Sequence, residues 1–272
     1  MKVVTFNINS IRTRVHQIEA LIEKHDPDII CIQETKVHDD MFPFDMYEHL
    51  GYHIEIHGGK AHYGVATFSK KKPISVEKGF PNEPEDAQRR MIITTFDYNG
   101  ETIKVLNGYF PQGENREHPT KFPYKQQFYE NLYTYLEDQE AEANRTIVLG
   151  DINVSQLDID IGIGEQNRKR WLREGKCSFL PEEREWVQRI LSTGLYDTYR
   201  TINPDKDDKF SWFDYRSRGF ERDPKRGLRI DTIFACDWLN KKAVASDIDY
   251  DIRSMERPSD HAPVWTEFDL GK

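Results

Sequence analysis

The run TIVLGDIN (146–153) is apolar on both parities through Ile147, Val148 and Leu149, then turns polar at Asp151 and Asn153. Both faces of a strand with that pattern must be covered, as in a sheet held between layers. Seven further runs have the same β-rich character: VVTFNI (3–8), DIICIQE (28–34), GVATFS (64–69), MIITTFDY (91–98), IKVLNGYF (103–110), LRIDTIFA (228–235) and APVWTEF (262–268). Helical stripes lie between some of them. Ile11, Val15, Ile18 and Ile22 follow a Ser10 placed to cap a helix. Phe128, Leu132, Tyr135 and Leu136 form a second stripe. Trp186, Val187, Ile190 and Leu191 form a third, entered at Pro181 and closed by Gly194. The alternation is not strict βαβ, and no Pro/Gly/Ser linker divides the chain. The expectation is one α/β domain over residues 1–272, a sandwich with mixed sheets. VVTFNIN near the start and IVLGDINVS in the middle echo each other, which suggests two similar halves.

Composition narrows the class. The 272 residues carry a formal net charge of −9, and aromatics make up 12%. That aromatic content argues against disorder, and the length suffices to bury roughly three-quarters of the unfolded surface. No apolar run approaches the roughly 20 residues of a membrane span. The opening MKVVTFNINS has no signal-peptide core, and Cys31, Cys177 and Cys236 are odd in number and far apart, so a cytoplasmic protein with reduced thiols is expected.

The polar residues at strand ends carry the chemistry. Asn7, Glu34, Tyr109, Asp151 and Asn153 each follow an apolar run, at the carboxyl end where ligand sites of open α/β sheets form. Asp231 and the pair Asp260–His261 stand instead at the start of late strands, and share that rim only if those strands run antiparallel to the others, which is the expectation. One such residue alone is commonly a turn former or a cap; the whole set is not explained that way. A carboxylate such as Glu34, at the end of a buried run, needs a cation or hydrogen bonds. Oxygen ligands with one histidine, and no cysteine cluster or HExxH, suit Mg²⁺, with Mn²⁺ as the alternative, better than zinc. The chemistry that fits is hydrolysis of a phosphate ester, with the ion polarising a phosphoryl oxygen and a carboxylate activating water. Gly162-Ile163-Gly164 is a fragment of a dinucleotide fingerprint without its third glycine and reads as a turn.

At these residues the sequence resembles a known family. FNIN (6–9), QETKVHDDMFP (33–43), HYGVA (62–66), NGYFPQGE (107–114), GDINVS (150–155), DIGIGEQNRKRWLREGKCSFLPEEREW (160–186), FSWFDYRSRGF (210–220), GLRID (227–231) and IRSMERPSDHAPVW (252–265) resemble the exonuclease III family of bacterial apurinic/apyrimidinic endonucleases, within the endonuclease/exonuclease/phosphatase superfamily. The resemblance covers essentially the whole chain. It implies a four-layer α/β sandwich with two mixed β-sheets packed between helices. It implies cleavage of the phosphodiester 5′ to an abasic site, leaving a 3′-hydroxyl, with 3′→5′ exonuclease and 3′-end-trimming action on duplex DNA, by a monomer. By the same resemblance Glu34 is a metal ligand and Asn7 shapes the metal site. Asp151 orients or deprotonates the attacking water, with Asn153 beside it. Tyr109 contacts the phosphate, Asp231 belongs to the active-site wall, and His261, paired with Asp260, binds the scissile phosphate. Trp212, Leu228 and Ile230 form the pocket for the base-less sugar, and Gln112 and Arg216 fall in matching stretches as substrate contacts. The loop ERDPKR (221–226) is slightly longer than the family pattern. The alternative is a superfamily phosphoesterase acting on another phosphodiester or phosphomonoester.

An acidic total first weighs against a DNA partner, but the charge is uneven. Residues 161–230 hold 16 Lys+Arg against 12 Asp+Glu, net +4, while the rest of the chain holds 22 against 35. Within that segment, RKRWLREGK (168–176) and KFSWFDYRSRGFERDPKRGLR (209–229) interleave cations with aromatics, the former for phosphates and the latter for stacking. A small apolar pocket rejects an intact nucleotide on size, whereas a deformable lesion is cheap to extrude.

Overall fold

A computed structural model describes residues 1–59, 62–81, 83–84, 86–139 and 145–271. In chain order the elements are β1 (Lys2–Asn7), α1 (Val15–His25), β2 (Ile29–Gln33), β3 (His53–His57), β4 (Val65–Ser69), β5 (Ser75–Lys78), β6 (Met91–Tyr98), β7 (Glu101–Tyr109), α2 (Lys121–Gln139), β8 (Thr146–Asp151), α3 (Glu165–Arg173), α4 (Pro181–Ser192), β9 (Leu195–Asp197), α5 (Thr198–Ile202), β10 (Asp231–Cys236), α6 (Asp237–Asn240), β11 (Ala243–Ile248), α7 (Tyr250–Arg253) and β12 (Val264–Phe268). The strands form two six-stranded sheets, ordered β11-β12-β1-β2-β4-β3 and β5-β6-β7-β8-β10-β9.

The two sheets share one plan. Each has a parallel pair at its centre, β1 with β2 and β7 with β8, flanked by antiparallel neighbours. A helix makes each parallel crossover, α1 in one half and α2 in the other. The anticipated halves therefore exist, with one correction: β8 occupies the place of β2, not of β1, so the echo noted in sequence joins non-equivalent strands. β10 and β12 run antiparallel to β8 and β1, as the rim argument required.

Four layers follow from the burial pattern. Val4, Phe6, Ile30 and Ile32 turn outward from the first sheet onto Ile18 and Leu21 of α1. Val3, Ile29 and Cys31, on the alternate parity, join a larger core that runs through the second sheet to Phe128, Leu132 and Leu136 of α2 and Val187 and Ile190 of α4. Burying one such side chain contributes roughly 1.5–3 kcal/mol. Gly150 holds β7 and β8 together: it has φ 143°, and a Cβ there would stand 1.8 Å from the Gly108 carbonyl oxygen.

Other expectations shift. Ser10 has φ 97° and makes no side-chain cap; Ile11–Thr13 form a separate turn of 3₁₀ helix before α1 begins at Val15. The run at 228–235 becomes a strand only from Asp231, because Leu228 first makes isolated bridges to Trp212 and Ile161.

Candidate active site

The carboxyl ends of β1, β2, β7 and β8 and the approaches to β10 and β12 open onto one cavity of about 270 Å³. Glu34, Tyr109, Gln112, Asp151, Asn153, Trp212, Ile230, Asp260 and His261 line it. Register puts Asp231 directly opposite Asp151 across the β8–β10 ladder, and Tyr109 beside Asp151 across β7–β8.

Asn7 is the hub. Its side-chain amide donates to Glu34 Oε1 at 2.9 Å and to Asp151 Oδ2 at 3.0 Å, so two carboxylates share one neutral donor. The backbone N–H of Asn153 donates to the other Asp151 oxygen at 3.0 Å. Glu34, Lys36 and Asn153 all adopt left-handed backbone, with φ near 55°. That conformation is uncommon for residues with a Cβ and collects at functional sites.

The histidine lies between two carboxylates. His261 Nδ1 donates to Asp231 Oδ2 at 2.8 Å, and its Nε2 lies 3.7 Å from Asp151 Oδ2. Burial alone would lower its pKa, but Asp231 and Asp151 outweigh that and lift it to about 10. Burial raises the Asp151 carboxyl to about 7, helped by Asp231 and Glu34 and opposed by His261 and Asn7. Burial, then the charge of Glu34, holds the Tyr109 phenol well above its ordinary range, so it is neutral and can donate. Asp260 is kept ionised: burial would raise it, but His261, the Asn9 amide at 2.9 Å and the Trp212 indole N–H at 3.1 Å bring it below the usual range.

Two expected residues sit elsewhere. Leu228 is buried under the cavity with Ile163, Trp171, Phe179 and Ile230, so it backs the wall without lining it. Arg216 is exposed on the turn after Asp214 and is not among the residues that line the cavity. Several neighbours went unnoticed in the sequence. Lys36 pairs with Glu34 at 2.9 Å. Ser259 donates from its hydroxyl to the Asn7 carbonyl at 2.7 Å and accepts the His261 N–H at 3.2 Å. The Arg90 guanidinium stacks over the rings of Tyr63 and Tyr109, at 4.5 and 4.6 Å. Trp171, Lys176 and Ser178 complete the cavity wall. The interleaved run 168–176 already hinted at the first two; nothing local marked Ser259.

One carboxylate or imidazole atom from each of Glu34, Asp151 and His261 lies within 4.8 Å of the others. The carboxylate oxygens of Glu34 and Asp151 in this group are hard donors of the kind Mg²⁺ prefers.

The chain is similar to known proteins over nearly its whole length. The pattern of the Endonuclease/Exonuclease/phosphatase family matches residues 4–261. The chain is 54% identical to the exodeoxyribonuclease III of Haemophilus influenzae over 268 residues, 98% of this chain and 100% of that protein. Among solved structures it is similar to a Neisseria 3′ phosphatase bound to a product DNA hairpin, with TM-score 0.89, 35% identity, and 99% and 100% of the two chains covered. It is also similar to an AP endonuclease from Archaeoglobus fulgidus, with TM-score 0.89, 34% identity and the same coverage.

Proposed function

The chain belongs to the endonuclease/exonuclease/phosphatase family and is a DNA repair nuclease, and on that basis we propose its reaction: metal-dependent hydrolysis of the phosphodiester 5′ to an abasic site in duplex DNA, leaving a 3′-hydroxyl. The same site would remove nucleotides 3′→5′ and trim blocked 3′ ends. The observation that carries the reading is the pair of carboxylates, Glu34 and Asp151, joined by the Asn7 amide inside a cavity walled by Trp212 and Ile230.

The donor set fits a divalent ion. Glu34, with Asn7 shaping its approach, would hold Mg²⁺, or Mn²⁺ in its place. Such an ion neutralises phosphate charge and polarises a phosphoryl oxygen. The chain's own groups do the rest. Asp151, fixed by Asn7 and by the Asn153 N–H, accepts the proton of the attacking water once ionised. The His261 imidazolium, fixed by Asp231, presents Nε2–H to the phosphate, and charge-assisted donors of this kind are the strong ones. Tyr109 donates from a neutral phenol. Trp212 is anchored through its indole N–H to Asp260 and with Ile230 closes a wall that admits a sugar without its base. Gln112 lies on the same wall.

The chain would work as a monomeric, single-domain enzyme of the cytoplasm. The three cysteines are buried and free, which suits a reducing compartment. Among the described residues no helix is long and apolar enough to cross a membrane.

The test is a duplex carrying one tetrahydrofuran abasic analogue, incubated with protein and Mg²⁺. We expect a single nick on its 5′ side, no nick in the intact duplex, and none with EDTA in excess. Undiminished cleavage in EDTA would overturn the metal assignment, and equal cleavage of intact duplex would overturn the abasic one.

A further inference from the structure

Behind the loops of the site lie two oppositely charged side chains with no solvent exposure. Lys125 of α2 and Glu183 of α4 pair at 2.6 Å, Nζ to Oε1. The ammonium group has three hydrogens and meets three acceptors: Glu183, the Asn153 carbonyl at 2.9 Å and the Gln112 carbonyl at 3.3 Å. The second Glu183 oxygen accepts the backbone N–H groups of Ser178 and Leu180, both at 2.8 Å. Gln112, Asn153 and Ser178 all line the cavity. A single ion pair thus reaches from the helical layer to the backbone of three separate site loops.

The surroundings leave these contacts little slack. A Cβ on Gly113 would come within 3.0 Å of Lys125 Cδ and 2.9 Å of Cys177 Sγ. Asn153 and Ser178 have φ of 55° and 116°, conformations that persist only when neighbours enforce them. Well-packed apolar residues would serve the fold as well as a buried ion pair, and often better. They could not hold these two carbonyls and two amides.

We infer that Lys125 and Glu183 are positioning residues for the hydrolysis proposed above. They set the loops at Gln112, Asn153 and Ser178, and through the Asn153 N–H they set the Asp151 carboxylate. The inference rests on that reading of the site, and activity of the parent protein on the abasic duplex tests the reading separately.

Two double variants test the inference. Lys125→Met with Glu183→Leu removes every tie. Lys125→Met with Glu183→Gln keeps an oxygen for the Ser178 and Leu180 amides and loses only the ties to Gln112 and Asn153. Both should still unfold cooperatively, at a temperature below the parent's because backbone groups are left unpaired. On abasic duplex with Mg²⁺, the first should lose kcat by at least about tenfold with KM changed less than about threefold, because a small misplacement of a catalytic group costs rate before it costs binding. The second should fall between the first and the parent. Parent-like kcat in the first variant would overturn the inference. So would a loss seen wholly in KM, or loss of cooperative folding in both variants, since the pair would then support the fold and not the site.

Discussion

At the scale of single residues, Asp151 shows what the site costs. Burial raises its carboxyl from 3.8 to about 7. The folded protein therefore holds that proton more tightly than the unfolded chain does. Above about pH 7 the ionised group subtracts from stability; below the unfolded value of about 3.9 the penalty is absent, because both states are protonated. Asp151→Asn should then melt at a higher temperature than the parent at pH 8, with the gap closing as pH falls from 7 to 4. Its turnover should fall at least about 10²-fold, the low end of general acid–base effects. Calorimetry at several pH values and a single-turnover assay read the two effects, and a variant less stable than the parent at pH 8 would contradict the first. The place of Asp151 at the end of a doubly covered strand was legible in the sequence. Its surroundings were not. The hydroxyl of Ser259 reaches the Asn7 carbonyl across 252 positions of chain, and no local pattern records such a contact.

At the scale of elements, legibility followed position in the sheet. The eight strands read from the sequence are the inner ones, most of them apolar on both parities. The four that escaped, β3, β5, β9 and β11, are the edges of the two sheets. An edge strand faces solvent on one side and loses the double covering that makes an inner strand stand out. The segment before β10 escaped for another reason. Leu228 and Ile230 are apolar and back the cavity, but Arg229 between them points the other way, fully buried, with Nε 2.7 Å from Asp160 Oδ1 and Nη2 2.7 Å from Asp197 Oδ2. The sequence shows an arginine inside an apolar run without showing the two aspartates that accept it. Asp160 also takes Arg200, so the cluster ties the 158–160 turn, α5 and the strand approach together. Arg229→Ala strands those buried carboxylates and opens a cavity, and should cost on the order of 3–5 kcal/mol. Urea unfolding should show it as a lower midpoint at unchanged slope; an unchanged midpoint would mean the cluster is worth no more than a surface pair.

At the scale of the whole molecule, the net charge of −9 conceals a division of labour. The segment 161–230, net +4, supplies Trp171, Lys176, Ser178, Trp212 and Ile230 to one side of the cavity, while the strand ends supply its carboxylates. That division was visible in the sequence once charge was sorted along the chain, whereas the shared plan of the two sheets was only half visible. The four sheet edges carry a last consequence. An open ladder of unpaired amides and carbonyls can template the addition of a neighbour's strand. Here β9 is three residues long, β5 reads SVEK, β3 alternates His53, Glu55 and His57, and β11 slips register between Ala243 and Ala245. Each edge is short, charged or irregular, and such features disfavour the addition of a copy. Sedimentation equilibrium at tens of micromolar should therefore find one mass, near the 32.1 kDa of a single chain, and a concentration-dependent rise would show that one edge is stickier than its sequence implies. For the reaction proposed above, edges of this kind would leave each molecule free to act on its duplex alone.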